Sequence, residues 1–345
     1  MKIEMKHGAG GAAMADFIKN EILKNLIGEH GEVPLSRLDD ASVINGIVFT
    51  TDSYTVKPIF FNGGDIGKLA VSGTINDLCA IGGKPMAMSS SFIIEEGFEM
   101  KDFRKIMASM GRESIKTNVP IITGDTKVVE NGSVDKIFIN TSGIGKKHPK
   151  LDGNFEELEN FRKGKGKWLL DSNIEDGDKI IVTGNIGDHG AAILAARYDI
   201  KSNIKSDVQP LNKLMDVALD VGGVVSVKDP TRGGVANLLN EWREKSNIGF
   251  LIDENKLPIK EEVRAICELL GIDALELGNE GKYVMAVVPE KAEELLEAIK
   301  KLPEGKNAVI IGEASKKYEY AVLETSVGGK RIIEAPLGDA VPRIC

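Results

Sequence analysis

Residues 51–78 read TDSYTVKPIFFNGGDIGKLAVSGTINDL, and they decide how the N-terminal half of the chain is interpreted. The stretch starts at the end of a β-rich run (46–52) and crosses a pair of glycines. It then enters a segment (65–83) whose apolar residues recur at helical spacing. This succession of a strand and a helix indicates a mixed α/β fold.

The same alternation continues on both sides of a polar segment. Residues 146–168 are charged, contain glycines and show no clear apolar period, which predicts a linker or surface excursion. We predict an N-terminal α/β domain at 1–146, a C-terminal α/β domain at 147–332 and a flexible tail at 333–345. The strand and helix patterns outside the opening stretch lie at 86–94, 99–117, 119–125, 135–145, 177–198, 229–245, 261–271, 281–288 and 292–302.

Composition limits the class of protein. The 345 residues predict roughly two domains, and 42% hydrophobic with 28% charged residues is ordinary for a globular chain. A formal charge of −8 without a basic block argues against nucleic acid as a partner. No apolar run approaches the roughly 18 residues of a membrane span, and the N-terminus lacks the apolar core of a signal peptide. We therefore expect a cytoplasmic protein without a membrane partner.

Acidic residues follow apolar segments at several places. Asp40, Asp52, Asp77 and Asp229 each have a simple interpretation as a cap, a turn or a surface acid. If these carboxylates converge, however, their mutual repulsion needs a cation, and oxygen ligands favour Mg²⁺ or Ca²⁺. Mg²⁺ commonly arrives with phosphates, so the pattern favours a phosphate-dependent enzyme.

Phosphate-binding features accompany the acids. HGAGG (7–11) and GGDIG (63–67) are glycine-rich and precede helical patterns, where free N–H groups can hold anions. Lys127 follows an acid at a strand end, which suits contact with a transferred phosphate. No P-loop motif occurs. The residues themselves indicate nucleotide-dependent phosphoryl transfer.

Seven motifs, in order along essentially the whole chain, carry a family resemblance. They resemble the HypE family of hydrogenase maturation proteins, and the terminal PRIC and GDTKVV are most specific to it. That family is similar to aminoimidazole ribonucleotide synthetase, selenophosphate synthetase and thiamine monophosphate kinase, which use ATP on a two-domain α/β fold. The motifs are HGAGG, the opening stretch 51–78, TGDTKVV (123–129), GDHG (187–190), DPTRGGVANLLNE (229–241), NEGK (279–282) and PRIC (342–345).

The resemblance implies a reaction and its partners. The carbamoyltransferase HypF would place a carboxamide on the thiol of Cys345. This protein would then use ATP and Mg²⁺ in its N-terminal domain to dehydrate the carboxamide to a thiocyanate. The cyanide would pass to iron carried by a HypC–HypD complex during assembly of nickel–iron hydrogenase. The resemblance also implies a homodimer.

The resemblance assigns roles to particular residues. Glu280 would be the base that removes the amide protons, and Lys127 would contact the transferred phosphate or the amide oxygen. Without the family, a turn acid and a surface cation would be the simpler interpretations of these two residues. The implied Mg²⁺–phosphate ligands are Asp40, Asp52, Asp77 and Asp229. The implied nucleotide contacts are Asn76, Gly124, Thr126, Thr231 and Arg232.

Two alternative functions remain open from the sequence. An enzyme of this fold could act on a free small molecule, or the protein could be a non-catalytic carrier that uses the thiol of Cys345. The tail has two prolines, a glycine and little reason to pack, and about 12 residues at ~3.3 Å each would reach roughly 40 Å. The sequence leaves open whether this arm reacts in its own subunit or in another.

Overall fold

The computed structural model describes residues 2–8, 10–26, 28–163, 166–336, 338, 341 and 343–345. The first half of the chain contains a sheet with helices packed on it, and the second half repeats this arrangement. The elements of the first half are β1 (Ser42–Ile44), β2 (Ile47–Tyr54), β3 (Phe60–Phe61), β4 (Gly64–Asp65), β5 (Gly83–Glu95), β6 (Ile121–Val129), β7 (Ile137–Lys147), α1 (Ala12–Phe17), α2 (Ile66–Ala80), α3 (Met100–Thr117) and α4 (Leu151–Glu159).

The second half adds a larger sheet. Its strands follow the order β14-β13-β10-β12-β8-β11-β9, and neighbours are antiparallel except for β10 and β13. These elements are β8 (Lys179–Val182), β9 (Val224–Lys228), β10 (Gly249–Asp253), β11 (Val284–Val287), β12 (Val309–Ser315), β13 (Ala321–Glu324), β14 (Lys330–Ile332), α5 (Asp188–Arg197), α6 (Asn212–Val221), α7 (Gly234–Ser246), α8 (Glu261–Leu270) and α9 (Pro289–Lys300).

The sheet of the first half has one covered and one open face. Its order is β1-β2-β7-β5-β6, antiparallel except for the pair β5–β6. Helix α2 packs on β2, β7 and β5, and α3 packs on α2. On the other face the side chains of Ile47, Phe49 and Ile93 are exposed. Strand β6 lies at the edge of this sheet.

Helix α2 begins at an aspartate cap. Asp65 Oδ1 accepts hydrogen bonds from the N–H groups of Gly67 (2.8 Å) and Lys68 (3.0 Å). This capping occupies the amides of Gly67 and Lys68, and the N–H of Ile66 donates to the carbonyl oxygen of Ile59 (2.9 Å). The start of α2 therefore does not present the free amides that GGDIG (63–67) was expected to offer to an anion. Further along, a Cβ atom at Gly73 would overlap the hydroxyl of Tyr54. The glycine therefore lets α2 lie close to β2.

Residues 146–159 do not form the linker or surface excursion that the sequence predicts. They contain α4, in which Leu151, Phe155 and Leu158 are buried at helical spacing. The side chain of Asn154 exchanges two hydrogen bonds with the backbone of Val224 at the start of β9 (2.8 and 2.9 Å). Helix α4 is thus bound to strand β9 of the larger sheet. The acidic residues between its apolar positions obscure the helical period in the sequence.

The described end of the tail is packed. Ile344 is buried, and the N–H groups of Thr55 and Lys57 donate to the carbonyl oxygens of Cys345 (2.9 Å) and Arg343 (3.1 Å). The expectation that the tail has little reason to pack is therefore wrong for these last residues. Residues 337, 339, 340 and 342 lie outside the described part, and the swinging of the tail stays a prediction.

The mixed α/β class is confirmed, and most predicted strands and helices are present. The elements that the sequence patterns missed include the short strands β1 and β14, the strands β9, β10, β12 and β13, and the helices α4 and α6. In the ranges that the structure describes, no helix is both long and apolar enough to cross a bilayer.

Candidate active site

A cavity of about 830 Å³ is lined by residues of both halves of the chain. We call it the acidic cavity, because Asp40, Asp52, Asp77, Asp229 and Glu280 all line it. The walls also include Gly10 and Gly11 of HGAGG, Thr231, Arg232, Lys228 and Cys345. The structure therefore brings together the four predicted magnesium ligands, the predicted base and the terminal cysteine.

Two of the acids come from the sheet and its covering helix. Asp52 lies near the end of β2, and Asp77 lies in the last turn of α2, where the hydroxyl of Thr50 donates to its carboxylate (3.0 Å). Burial raises the pKa of Asp77 well above its ordinary value, and the charges of Asp229 and Asp52 raise it further. The helix therefore holds a carboxyl group where its ionisation is unfavourable.

Asp40 and Asp229 approach the cavity from opposite halves of the chain. Burial raises the pKa of Asp40 to about 6 even though Lys228 lowers it. Burial and then the charge of Asp40 raise the pKa of Asp229. The ammonium group of Lys228 is paired with Asp40 and also lies 3.4 Å from Glu241. One buried ammonium group thus forms ion pairs with more than one carboxylate.

Glu280 lies in the loop before β11 and is 2% exposed. Asp207 fixes this loop: its carboxylate accepts the N–H groups of Glu280 and Gly281 (3.2 Å each) and the ammonium of Lys282 (3.0 Å). Burial raises the pKa of Glu280 well above its ordinary value, with Asp229 and Asp52 adding to the rise. A carboxylate with a raised pKa is a stronger proton acceptor at neutral pH, as the proposed base requires.

The carboxyl oxygens of the cavity fit a cation. Asp40 Oδ2 and Glu280 Oε1 are buried without a hydrogen-bond partner among the described residues. In the same part of the chain, no three His, Cys, Asp or Glu side chains are arranged as a complete metal site. Mg²⁺ usually takes one or two carboxylates and completes its shell with water and phosphate oxygens. The acids therefore suit an ion that arrives with a phosphate ligand.

Arg232 lies beside the terminal cysteine. The charge at Cys345 raises the pKa of this arginine, and Asp52 and Glu280 raise it further against the effect of burial. The guanidinium therefore stays positively charged between the tail and the acids. Arg232 and Thr231 both line the acidic cavity, and their contact with a nucleotide stays a prediction.

Four predicted residues do not reach the cavity. Asn76 is buried, and its amide is occupied by the backbone of Gln209, Leu211 and Glu280. The other three lie on strand β6, which forms the edge of the sheet opposite to β1. These residues are Gly124, Thr126 and Lys127. The ammonium of Lys127 pairs there with Asp125 (2.9 Å), and both side chains are exposed.

Sequence reasoning missed Lys228 and Asp207. Lys228 directly precedes the recognised motif DPTRGG, so its neighbour Asp229 was the available signal. Asp207 lies in an irregular stretch between α5 and α6, where no periodicity marks it. Both residues act on predicted site residues, Lys228 on Asp40 and Asp207 on the Glu280 loop.

Comparison with known families agrees with this architecture. Residues 38–146 match the N-terminal domain of AIR synthase related proteins, and residues 175–323 match their C-terminal domain. A hydrogenase expression/formation protein of Methanocaldococcus jannaschii is 50% identical, with both chains covered completely. The carbamoyl dehydratase HypE of Rhizobium leguminosarum bv. viciae is 42% identical, covering 100% of this chain and 95% of the relative.

Solved structures lead to the same family. The chain is similar to one in a HypE–HypF complex, with a TM-score of 0.83, 42% identity and coverage of 93% and 99% of the two chains. A HypE structure in complex with ATP gives a TM-score of 0.79 at 36% identity, with both chains covered completely. The resemblance drawn from the motifs is thereby confirmed. The chain belongs to the HypE family of carbamoyl dehydratases, which are enzymes of hydrogenase maturation.

Proposed function

We propose that this protein uses ATP to dehydrate a carboxamide on the sulfur of Cys345, which yields a thiocyanate for hydrogenase iron. The observation that carries the proposal is that Cys345 lines the same cavity as Glu280 and the buried acids. A simple thiol carrier does not need buried carboxyl groups around its thiol. An enzyme for a free small molecule does not need its own C-terminus in the site.

The residues of the cavity would bind ATP with Mg²⁺. When bound, ATP supplies the phosphoryl group that converts the amide oxygen into a leaving group. Thr231 and Arg232 would contact the nucleotide, whereas Asn76 would act indirectly by tying α2 to the Glu280 loop. The residues that would hold Mg²⁺ and the phosphates are Asp40, Asp52, Asp77 and Asp229.

The proposed reaction balances without a further reactant. The amide oxygen would take the terminal phosphoryl group of ATP, which leaves ADP. The amide carbon would keep its bonds to sulfur and nitrogen and become a nitrile. The oxygen would leave as part of inorganic phosphate, which takes one of the two protons that the nitrogen loses. Glu280 would accept a proton, and its raised pKa suits that task.

A second copy of the chain would complete the site. Lys127 lies on the open face of the N-terminal sheet with Asp125, near Ile93. Ile47, Phe49 and Ile93 are between 42% and 51% exposed on this face, as expected for a surface that another protein covers. We infer that a homodimer forms through this face and carries Lys127, with Gly124 and Thr126, to the cavity of the other copy.

The proposed partners follow from the family. HypF would deliver the carbamoyl group, and the solved HypE–HypF complex of a similar chain supports this partnership. We place the reaction in the cytoplasm. The HypC–HypD complex would receive the cyanide on its iron. Both partners require that Cys345 become accessible outside the cavity.

Mass spectrometry of the C-terminal peptide tests the proposal. After incubation with HypF and carbamoyl phosphate, Cys345 should carry a carbamoyl adduct that loses one water only when ATP and Mg²⁺ are added. An adduct that never loses water would favour the carrier. ATP turnover that continues in a Cys345→Ala variant, with product released from a small molecule, would favour the free-substrate enzyme.

A further inference from the structure

The GDHG motif (187–190) places a buried histidine against the tail. His189 is 0% exposed, and its Nε2 lies 2.8 Å from the carbonyl oxygen of Ile344. Its Nδ1 lies 2.7 Å from the hydroxyl of Ser206, and the ring of Phe61 meets it edge-on at 5.3 Å between centroids. Every polar atom of the imidazole is thus engaged, one of them by the residue before Cys345.

The partners determine which ring nitrogen carries the proton. A carbonyl oxygen can only accept, so Nε2 donates to Ile344. Nδ1 then accepts from the hydroxyl of Ser206, whose oxygen in turn accepts the N–H of Val208 (3.1 Å). Burial lowers the pKa of His189, which favours this neutral form. The imidazole is therefore oriented as a fixed donor toward the tail.

The start of α5 links this donor to the Glu280 loop. The N–H of Gly187 donates to Asn279 Oδ1 (2.8 Å), and the N–H of Gly190 donates to the carbonyl of Gly278 (3.0 Å). A Cβ atom at Gly278 would lie 2.7 Å from Ile344 Cδ1, so the tail packs directly on this loop. His189 thus holds the tail in a fixed relation to the base.

The other side of the tail is held by Arg343. Its guanidinium donates to the carbonyl oxygen of Thr55 and to Asp135 (2.8 Å each), and it lies over the ring of Phe138. The backbone bonds from Thr55 and Lys57 run beside these contacts. Arg343 thus binds the tail to the N-terminal half on its exposed side, while His189 binds the tail on its buried side.

We propose that His189 is a positioning residue that binds the Ile344 carbonyl and so holds Cys345 in the acidic cavity during dehydration. The inference rests on the proposed function. It assigns the GDHG motif to recognition of the tail and not to the nucleotide. Because HypF must reach the same thiol, breaking this hydrogen bond favours carbamoylation and disfavours dehydration.

Thiol alkylation tests, without any partner protein, whether His189 keeps Cys345 in the acidic cavity. Cys79 and Cys267 are buried, and burial raises the pKa of both thiols, that of Cys267 to about 11, so iodoacetamide should modify Cys345 first. In His189→Leu, alkylation of Cys345 should be about fivefold faster than in the wild type, the effect of losing one hydrogen bond. The mass of the C-terminal peptide over time gives the rate.

A second readout separates positioning from folding. In the full-length protein carbamoylated by HypF, His189→Leu should lose water about fivefold more slowly on addition of ATP and Mg²⁺. Carbamoylation itself should not slow. The matched control is His148→Leu, which removes another buried histidine that accepts the N–H of Lys150 beside α4. It should leave both rates at the wild-type level.

Conservative variants keep the test decisive if the leucine variant does not fold. The amide nitrogen of His189→Gln can take the place of Nε2, whereas that of His189→Asn reaches only the place of Nδ1. The glutamine variant should therefore retain slow alkylation and fast water loss, and the asparagine variant should not. Equal rates in these two variants, or equal effects of His148→Leu and His189→Leu, would overturn the inference. If the wild type itself never loses water, the proposed function fails and alkylation alone decides the role of His189.

Discussion

The two edges of the N-terminal sheet carry similar residues in opposite surroundings. At the β1–β2 edge, burial raises the pKa of Asp40 to about 6. At the β6 edge, Asp125 is exposed, and its hydrogen bond with Lys127 lowers its pKa. Both acids adjoin apolar segments in the sequence. The comparison shows that burial, which sequence position does not reveal, distinguishes a prepared site from a solvated ion pair.

The difference also explains why the predicted site is divided. The buried edge has acids, a base and a thiol, but the predicted phosphate-contacting Lys127 is on the exposed edge. A second copy that covers the open face of the sheet would unite the two sets of residues.

Among substitutions at the two edges, Lys127→Ala should have the largest effect on the rate of dehydration. If Lys127 serves the cavity of another copy, dehydration should fall by about 100-fold or more, because charge stabilisation of a transferred phosphate is lost. The thermal midpoint should change little, since the ion pair of Lys127 with Asp125 within its own chain is an exposed one. Lys105→Ala, which removes another exposed lysine with an aspartate partner, is the control for both measurements.

Mixing variants shows whether the two edges meet between copies. Lys127→Ala and Glu280→Gln chains should each be inactive alone. Mixed and allowed to exchange subunits, they should regain activity, because one cavity of the mixed dimer then has both residues intact. Inactive mixtures that do form mixed dimers would place Lys127 and Glu280 in the same chain's site. Activity of the Lys127→Ala chain alone would remove Lys127 from the site altogether.

A smaller effect should appear in the pH dependence of stability. The pKa of Asp40 is near 3.8 when unfolded and about 6 when folded, so its stabilising contribution is present below pH 4 and is lost as pH rises through 6. The free energy of unfolding should fall by on the order of 2–3 kcal/mol from this group. Denaturant unfolding from pH 4 to 7 measures the decline.

Two variants and a ligand sharpen this measurement. Asp40→Asn should make the decline smaller but not abolish it, because burial also raises the pKa of Asp77, Asp229 and Glu280. Asp125→Asn at the exposed edge should leave the slope as in the wild type. ATP with Mg²⁺ should reduce the decline, because a bound cation favours the ionised acids. An unchanged slope in Asp40→Asn would contradict the link between burial and the prepared site.

The sequence predicted this molecule unevenly, for physical reasons. The apolar periods of α2 and β2 and the acids Asp52 and Asp77 were readable, because a buried face forces a repeating pattern. Helix α4 was missed because acids separate its buried residues. Docking of the tail was missed because its bonds to Thr55 and Lys57 involve backbone atoms, which every residue has.

Some site residues could not be assigned from composition or spacing. Lys228 is a buried cation that a sequence presents as an ordinary surface charge. The roles implied for Glu280 and Cys345 came from resemblance, and the structure adds that they share one cavity. Convergence of distant segments is a property of the fold, so it becomes visible only with the fold.

Formation of a nitrile on Cys345 would show directly that the protein dehydrates its own carbamoylated C-terminus. The carbamoylated protein is given ATP and Mg²⁺, and infrared absorption of the thiocyanate is followed in the wild type, Glu280→Gln and the control Glu276→Gln. Glu276 is a neighbouring, partly buried acid whose pKa is also raised by burial. We expect a growing nitrile band in the wild type and the control, and a rate at least about 100-fold lower in Glu280→Gln. A nitrile that forms at the wild-type rate without Glu280 would contradict this expectation.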